Sequence, residues 1–244
     1  MVRKRRLHMY QFDSRIRYSE VGSDTKLRLI SLLDYFQDCS TFHSEDLGLG
    51  IDYLKQNHLI WLMSYWQIDV LRFADVCQRV KIGTFPYDFK GCFGFRNFCM
   101  TDESGEMLAK ANSMWTLMDT ESMTPKRPPQ EMVEAYVTEP RLEMEYLPRK
   151  LTFVGDAQKP EPVRVKKHHL DSNFHVNNGQ YVAIACDFLP QDYTIGRMRA
   201  SYHKSAVQDD LLYPWVYHMD DGIGIALCDK AGEPYAKVMF SPVK

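Results

Sequence analysis

Between Asp171 and Asn177 the chain reads D-S-N-F-H-V-N, which gathers one carboxylate, one imidazole and two amides, with a third amide at Asn178. Asp171, Asn173 and His175 stand at i, i+2 and i+4. In an extended segment that spacing turns all three side chains to one face. Phe174 and Val176 would then face packing. Asn177 fits a helix N-cap ahead of an apolar helical pattern, with Gln180 three residues on as an approximate capping box. The trio is therefore expected beside unpaired N–H groups at the positive end of a helix. Such a set suits acyl transfer. A thioester or ester carbonyl gathers negative charge in its transition state, and N–H donors with an Asn amide stabilise it. A carboxylate or imidazole activates water, or a carboxylate attacks directly. The same residue types also make an ordinary polar turn, so the surrounding elements must decide.

Composition narrows the classes first. The chain has 244 residues, 45% hydrophobic, with formal net charge −2. That is a globular composition without the basic excess of a nucleic-acid binder. No apolar run approaches the roughly 20 residues of a transmembrane helix, so stable membrane insertion is not expected. The start, MVRKRRLHMYQF, is basic but lacks an apolar h-region, which argues against a secretory signal. It reads as a solvated tail or as a docking patch for an acidic partner. The six cysteines form no C-x-x-C pair and match no zinc spacing. They fit a reducing, cytoplasmic setting, and no metal is expected.

The chain also repeats itself. Residues 15–38 and 164–187 align at a constant offset of 149, with Arg15 on Arg164, Ile16 on Val165, Ser23 on Ser172 and Asp38 on Asp187. Gly22, Asp24 and Lys26 fall on Asp171, Asn173 and His175, so the trio exists only in the second copy. A second echo pairs residues 102–111 with 229–238, each reading as strand, Gly-containing turn, strand. Each half shows an extended lead-in, one helix, then a run of strands. In the first half Leu32, Tyr35, Phe36, Cys39, Phe42 and His43 form a helical stripe, which should end near Gly48 and Gly50 with positive φ. In the second the stripe is Tyr181, Ile184, Ala185 and Phe188. One helix followed by antiparallel strands in each half predicts an α+β fold. Residues 1–125 make the first domain and 151–244 the second. The Pro-rich, charged stretch 126–150 joins them, with a short helical piece around 129–136.

The stretch RVKKHHLDSNFHVNNGQYVAIACDFLP resembles the D-x-N-x-H-V-N-N-x-x-Y segment of acyl-acyl carrier protein thioesterases of plant plastids and bacteria. The likeness extends over most of the chain, including YQFDSRIRYSEV near the start and ASYHKSAVQDDLLYPWV near the end. It implies two tandem hotdog domains, each a curved antiparallel sheet wrapped around a central helix. It implies hydrolysis of fatty acyl-acyl carrier protein thioesters to free fatty acid and carrier protein, which terminates fatty acid synthesis, with no cofactor. In this resemblance Asp171 activates water or attacks the thioester, Asn173 holds water or the carbonyl, and His175 orients and polarises the reacting groups. Asn177 is an additional site candidate. The family often carries an acid, with Cys after it in plant members, where this chain has Ser205 and Ala206. Ser205 is kept as a further candidate able to hold water. The acyl pocket is expected at Phe36, Cys39, Phe42, Trp61, Met63 and Trp66. Acyl carrier protein is acidic, so a basic docking patch is expected among VRKRR at the start, residues 164–169, Arg197, Arg199 and Lys204. Two alternatives stay open: an acyl-CoA thioesterase on the same fold, and a non-catalytic acyl-binding module suggested by Ser205. Pairing into a homodimer is left open too.

Overall fold

The computed structural model describes residues 8–243. They divide into two units, one comprising residues up to 62 together with 72–145, the other residues 63–71 together with those from 146 on.

In the first unit lie β1 (Tyr10–Arg15), α1 (Leu29–Asp46), α2 (Ile51–Gln56), the start of β2 (Leu59–Val70), β3 (Arg79–Lys90), β4 (Phe93–Asp102), β5 (Met107–Asp119), β6 (Thr124–Pro125) and α3 (Gln130–Ala135). β1, β3, β4, β5 and β6 pair in that order, all antiparallel. α1 lies across β3 and β1. Its stripe is buried as the spacing predicts at Leu32, Tyr35, Phe36 and Cys39. The Phe36 and Phe98 rings stand 5.4 Å apart, and the Cys39 thiol donates to the Ile82 carbonyl at 3.8 Å. The stripe stops short of Phe42, which is 44% exposed and meets only the edge of this core at Phe12. Gly48 takes the expected positive φ of 71°. Gly50 does not. Its φ is −79°, because it caps α2 instead of ending α1. The stretch after β6 is held to this unit. Glu139 N–H donates to the Pro86 carbonyl, and Leu142 N–H to Asn97 Oδ1.

The second unit contains the rest of β2, β7 (Val163–Arg164), α4 (Asn178–Cys186), β8 (Ile195–Tyr202), β9 (Leu211–Met219), β10 (Gly222–Cys228) and β11 (Pro234–Pro242). Its antiparallel order is β2-β8-β11-β10-β9-β7. β10 is buried along its whole length, as befits a strand flanked on both edges, and α4 packs on β10 and β11. Each unit is thus one antiparallel sheet with one principal helix on it, the expected α+β arrangement. Among the described residues no helix is long and apolar enough to cross a membrane.

The internal repeat is visible bond by bond. At the 102–106 hairpin Asp102 N–H donates to Glu106 and Gly105 N–H to Asp102; at 229–233 Asp229 donates to Glu233 and Gly232 to Asp229. In both, the Asp Oδ1 takes two N–H groups of its own turn. That is the Asx-turn chemistry for which Asp is suited.

The tightest backbone approach in the second sheet is at Gly222, where β9 turns into β10. Its φ is 146°, and an added Cβ would stand 2.0 Å from the Phe240 carbonyl oxygen. Gly222→Ala is expected to lower stability by roughly 3 kcal/mol through strain and displaced pairing with β11. The midpoint of urea unfolding measures it.

Candidate active site

The segment 170–177 is a tight turn, and this corrects the expectation of an extended strand. Leu170 bridges Val176, Asp171 N–H donates to the His175 carbonyl at 2.8 Å, and Phe174 N–H donates back to Asp171 at 3.1 Å. Phe174 takes φ 61° and is 78% exposed, so it does not pack inward as alternation required. Val176 is buried as expected. Asp171 and His175 therefore face each other across the neck of the turn, and Asn173 sits at its tip.

The first unit builds the same turn at the 149-residue offset. Val21 bridges Leu27, Gly22 N–H donates to Lys26, Thr25 N–H donates to Gly22, and Thr25 has φ 61°. A short 3-10 segment precedes each copy, Tyr18–Glu20 and Lys167–His169. The backbone is shared and the side chains are not. In the second copy the Asp171 Oδ1 accepts from the N–H groups of Asn173 (2.7 Å) and His175 (3.3 Å). In the first, Asp24 Oδ1 takes the Lys26 N–H at 3.0 Å. Asp171 is half-buried, whereas Asn173 and His175 are exposed. Among the described residues the Asn173 amide and the His175 ring hold no hydrogen bond, and neither does Asp171 Oδ2.

α4 begins immediately after the turn. Asn177 caps it as expected, its Oδ1 accepting from Gly179 N–H at 2.8 Å. Gln180 does not close a capping box; its N–H goes to the Asn177 carbonyl. The Asn178 N–H, first of the helix, has no acceptor among the described residues. The β8–β9 loop is strapped to this point: Val176 N–H donates to the Ala206 carbonyl at 2.9 Å, and Ala206 N–H donates to the Tyr181 hydroxyl at 2.8 Å. Ser205, exposed, thus stands beside the turn, past the end of β8 rather than on it.

A cavity of about 190 Å³ opens in the first unit. Of the six expected pocket residues, Trp61 lines it. Phe36 and Cys39 are wholly buried core of the first unit, Trp66 and Met63 are buried in the second, and Phe42 is on the surface. The wall is made instead by Leu54, Ile60, Phe89, Phe95, Trp115 and Tyr136, with Arg96 among them. Arg96 was not among the residues expected from the sequence; the signal was a cation set within the aromatic run F-G-F-R-N-F of β4. Its Nη1 donates to His43 Nδ1 at 3.0 Å and to Thr84 Oγ1 at 3.3 Å. Guanidinium has no acceptor, so this bond fixes Nδ1 of His43 as unprotonated.

The basic candidates separate. VRKRR lies outside the described residues. Arg197 is paired with Asp69, and Lys204 with Asp229. Arg199 donates to the Pro148 carbonyl, and Arg164 stands 3.9 Å from Asp209. Lys166, Lys167 and His168 are exposed just ahead of the turn.

A family model described as the acyl-ACP thioesterase N-terminal domain matches residues 7–136. Oleoyl-acyl carrier protein thioesterase 1 of Arabidopsis thaliana is 23% identical over 219 residues, covering 81% of this chain and 60% of its own length. An acyl-[acyl-carrier-protein] hydrolase of Cuphea viscosissima is 28% identical over 190 residues, covering 72% and 46%. The chain thus spans about half to three-fifths of these relatives. Among solved structures, an acyl-ACP thioesterase from Bacteroides thetaiotaomicron superposes with TM-score 0.88 at 19% identity, covering 96% of this chain and 97% of that one. The 12:0-ACP thioesterase of Umbellularia californica gives 0.82 at 20% identity, covering 96% of each. At such identities these two likenesses speak for the fold.

The His43–Arg96 contact predicts a pH dependence. Burial first, and then Arg96, lower the His43 pKa to about 4, against a smaller opposing pull from Asp46. A depressed folded-state pKa favours folding fully above the unfolded value near 6.5 and loses that contribution as pH falls toward 4. At most about 3 kcal/mol is at stake. His43→Asn retains an acceptor for Arg96 and removes the titration, so unfolding free energy should fall less steeply between pH 6.5 and 4 than in the parent.

Proposed function

The chain belongs to the acyl-ACP thioesterase family, and from that premise we propose that it hydrolyses fatty acyl thioesters of acyl carrier protein to free fatty acid and carrier protein, ending chain elongation. One observation carries the assignment of the site: the two units build the same turn, yet only the second fills it with Asp171, Asn173 and His175. Asp171 takes over the amide that Asp24 holds in the first copy, but the first copy keeps its backbone with no imidazole at the place of His175, which weighs against a purely structural reason for the set.

In this reading the first unit, with Tyr136 from the 126–150 stretch, supplies the acyl-chain pocket, and the catalytic turn lies within 151–244. Asp171 uses Oδ1 to hold the turn, and Oδ2 takes a proton from the water that attacks the thioester carbon. The carbonyl oxygen becomes an oxyanion, which the Asn173 amide and the Asn178 N–H at the head of α4 stabilise. Collapse breaks the C–S bond, and the leaving thiolate takes a proton from His175 or from solvent. Direct attack by the carboxylate uses the same atoms and forms an anhydride that water then opens. In this reading Ser205 holds the water. Lys166 and Lys167 form the patch that meets an acidic carrier protein in the cytoplasm. No step calls for a cofactor.

Hydrolysis of acyl-CoA, or acyl binding without turnover, are the competing readings, the second favoured by Ser205 where the family resemblance leads one to expect an acid. Thiol release from acyl carrier protein thioesters of varied chain length, run beside the same acyl groups on coenzyme A, separates all three. Asp171→Asn keeps an oxygen for the turn, so its melting temperature should hold while kcat falls about 100-fold or more; His175→Ala should fall similarly. Turnover untouched by both variants, or absent with every thioester, removes the reading. Replacing Lys166 and Lys167 together by Glu should raise KM for the carrier-protein substrate severalfold and leave kcat in place.

A further inference from the structure

Arg96 is 8% exposed and sits on the wall of the first-unit cavity. A guanidinium in that position calls for a counter-ion, because an unpaired buried charge is costly. None is present among the described residues. The partners of Arg96 are an imidazole, the Thr84 hydroxyl and the Tyr136 side chain, whose ring lies 5.3 Å from Cζ. Burial pushes the Arg96 pKa down, and the groups opposing that push are Tyr136 and Cys39. Cys39 supplies no counter-charge at neutral pH, since burial raises its thiol to about 12.

The donor geometry sharpens this. Both contacts, to His43 and to Thr84, use Nη1, which has two hydrogens to give. Among the described residues Nε and Nη2 donate to no carboxylate, and the Tyr136 side chain stands beside the guanidinium. The Nε–Nη2 edge is the one a carboxylate engages through two parallel bonds. Most of the wall is hydrocarbon and aromatic, at Leu54, Ile60, Trp61, Phe89, Phe95 and Trp115, with Ser40, Thr41 and Ser44 of α1 also lining it. At 190 Å³ the space exceeds by about an order of magnitude what a single water needs. An inorganic anion would leave this apolar wall unused, and an unsubstituted alkyl chain would leave the charge uncompensated.

We propose that the cavity binds an aliphatic chain ending in a carboxylate, which anchors on Arg96 while the aromatic wall surrounds the methylenes. Two sources carry this chemistry: a free fatty acid, and an acyl thioester whose far end is a carboxylate. The second rests on the thioesterase reading; the first stands without it.

Trp61 and Trp115 line the cavity and report occupancy through their fluorescence. Decanoate, methyl decanoate and 1-decanol would be titrated into the full chain at pH 7.5, with calorimetry alongside. Decanoate should bind at least about tenfold tighter than the other two. Arg96→Gln should erase that preference while leaving weak binding of the alcohol. Leu54→Trp, which fills the cavity and leaves Arg96 in place, should weaken all three. Equal affinities in the parent protein, no saturable binding, a preference that survives Arg96→Gln, or affinities unchanged in Leu54→Trp would each overturn the proposal. The parent comparison and Leu54→Trp hold even if Arg96→Gln fails to fold. Hydrolysis of carrier-protein thioesters with and without a terminal carboxylate assigns the source. A tenfold higher kcat/KM for the carboxylated chain identifies the substrate's far end; no such gain, with decanoate bound, identifies the free acid. Loss of turnover on every thioester with decanoate binding intact refutes the thioesterase reading alone.

Discussion

The neck of the 170–176 turn is held by backbone hydrogen bonds on three sides. Leu170 and Val176 bridge, Asp171 and His175 pair, and Val176 is tied to Ala206 from the β8–β9 loop. Backbone carbonyls hold the Asp171, Phe174 and Val176 amides, and Asp171 Oδ1 holds those of Asn173 and His175, since backbone polar groups removed from water must find partners. The position of Asp171 and His175 then follows from where the neck is, and the neck is set by the start of α4 and by β8. Asn177, capping Gly179, joins turn to helix. The unsatisfied Asn178 N–H comes out beside the trio for the same reason: the helix starts there and its first donors have no earlier turn to bond.

Much of this was legible in residues. The 149-residue offset aligned two turns that match hydrogen bond for hydrogen bond, and the shared Asp and Gly of the two hairpins marked the same Asx construction. The Asn177 cap and the α1 stripe followed from local chemistry. The conformation of the turn did not. The i, i+2, i+4 spacing selects one face only in an extended chain, and nothing in F-H-V announces a residue at positive φ. Phe174 and its counterpart Thr25 are poor left-handed residues, held there by bonds on both sides of them. The cavity was also hidden. Aromatic residues near α1 were expected to line it, but sequence pattern does not separate a side chain that fills the core from one that borders a void. Phe36 and Trp66 fill, while Trp61 borders.

Arg96 and His43 show how a fold keeps a charge inside a sheet. Thr84 and His43 give acceptors without giving counter-charge, and Tyr136 gives a π face. The arrangement satisfies Nη1 and leaves the electrostatic cost standing. His43 shares that cost, since its own protonation would place two cations 3.0 Å apart.

The turn's side-chain acceptor stands at a different position in each copy. In the first copy the Asp at the tip, Asp24, serves the Lys26 amide. In the second that duty has moved to the neck, where Asp171 serves the equivalent His175 amide and the tip amide as well. With the neck Asp holding that amide, the tip side chain, Asn173, is left with no backbone bond to keep. The acceptor duty and the outward-facing amide thus sit on different residues in the second copy, whereas the first copy uses its tip side chain for the turn itself.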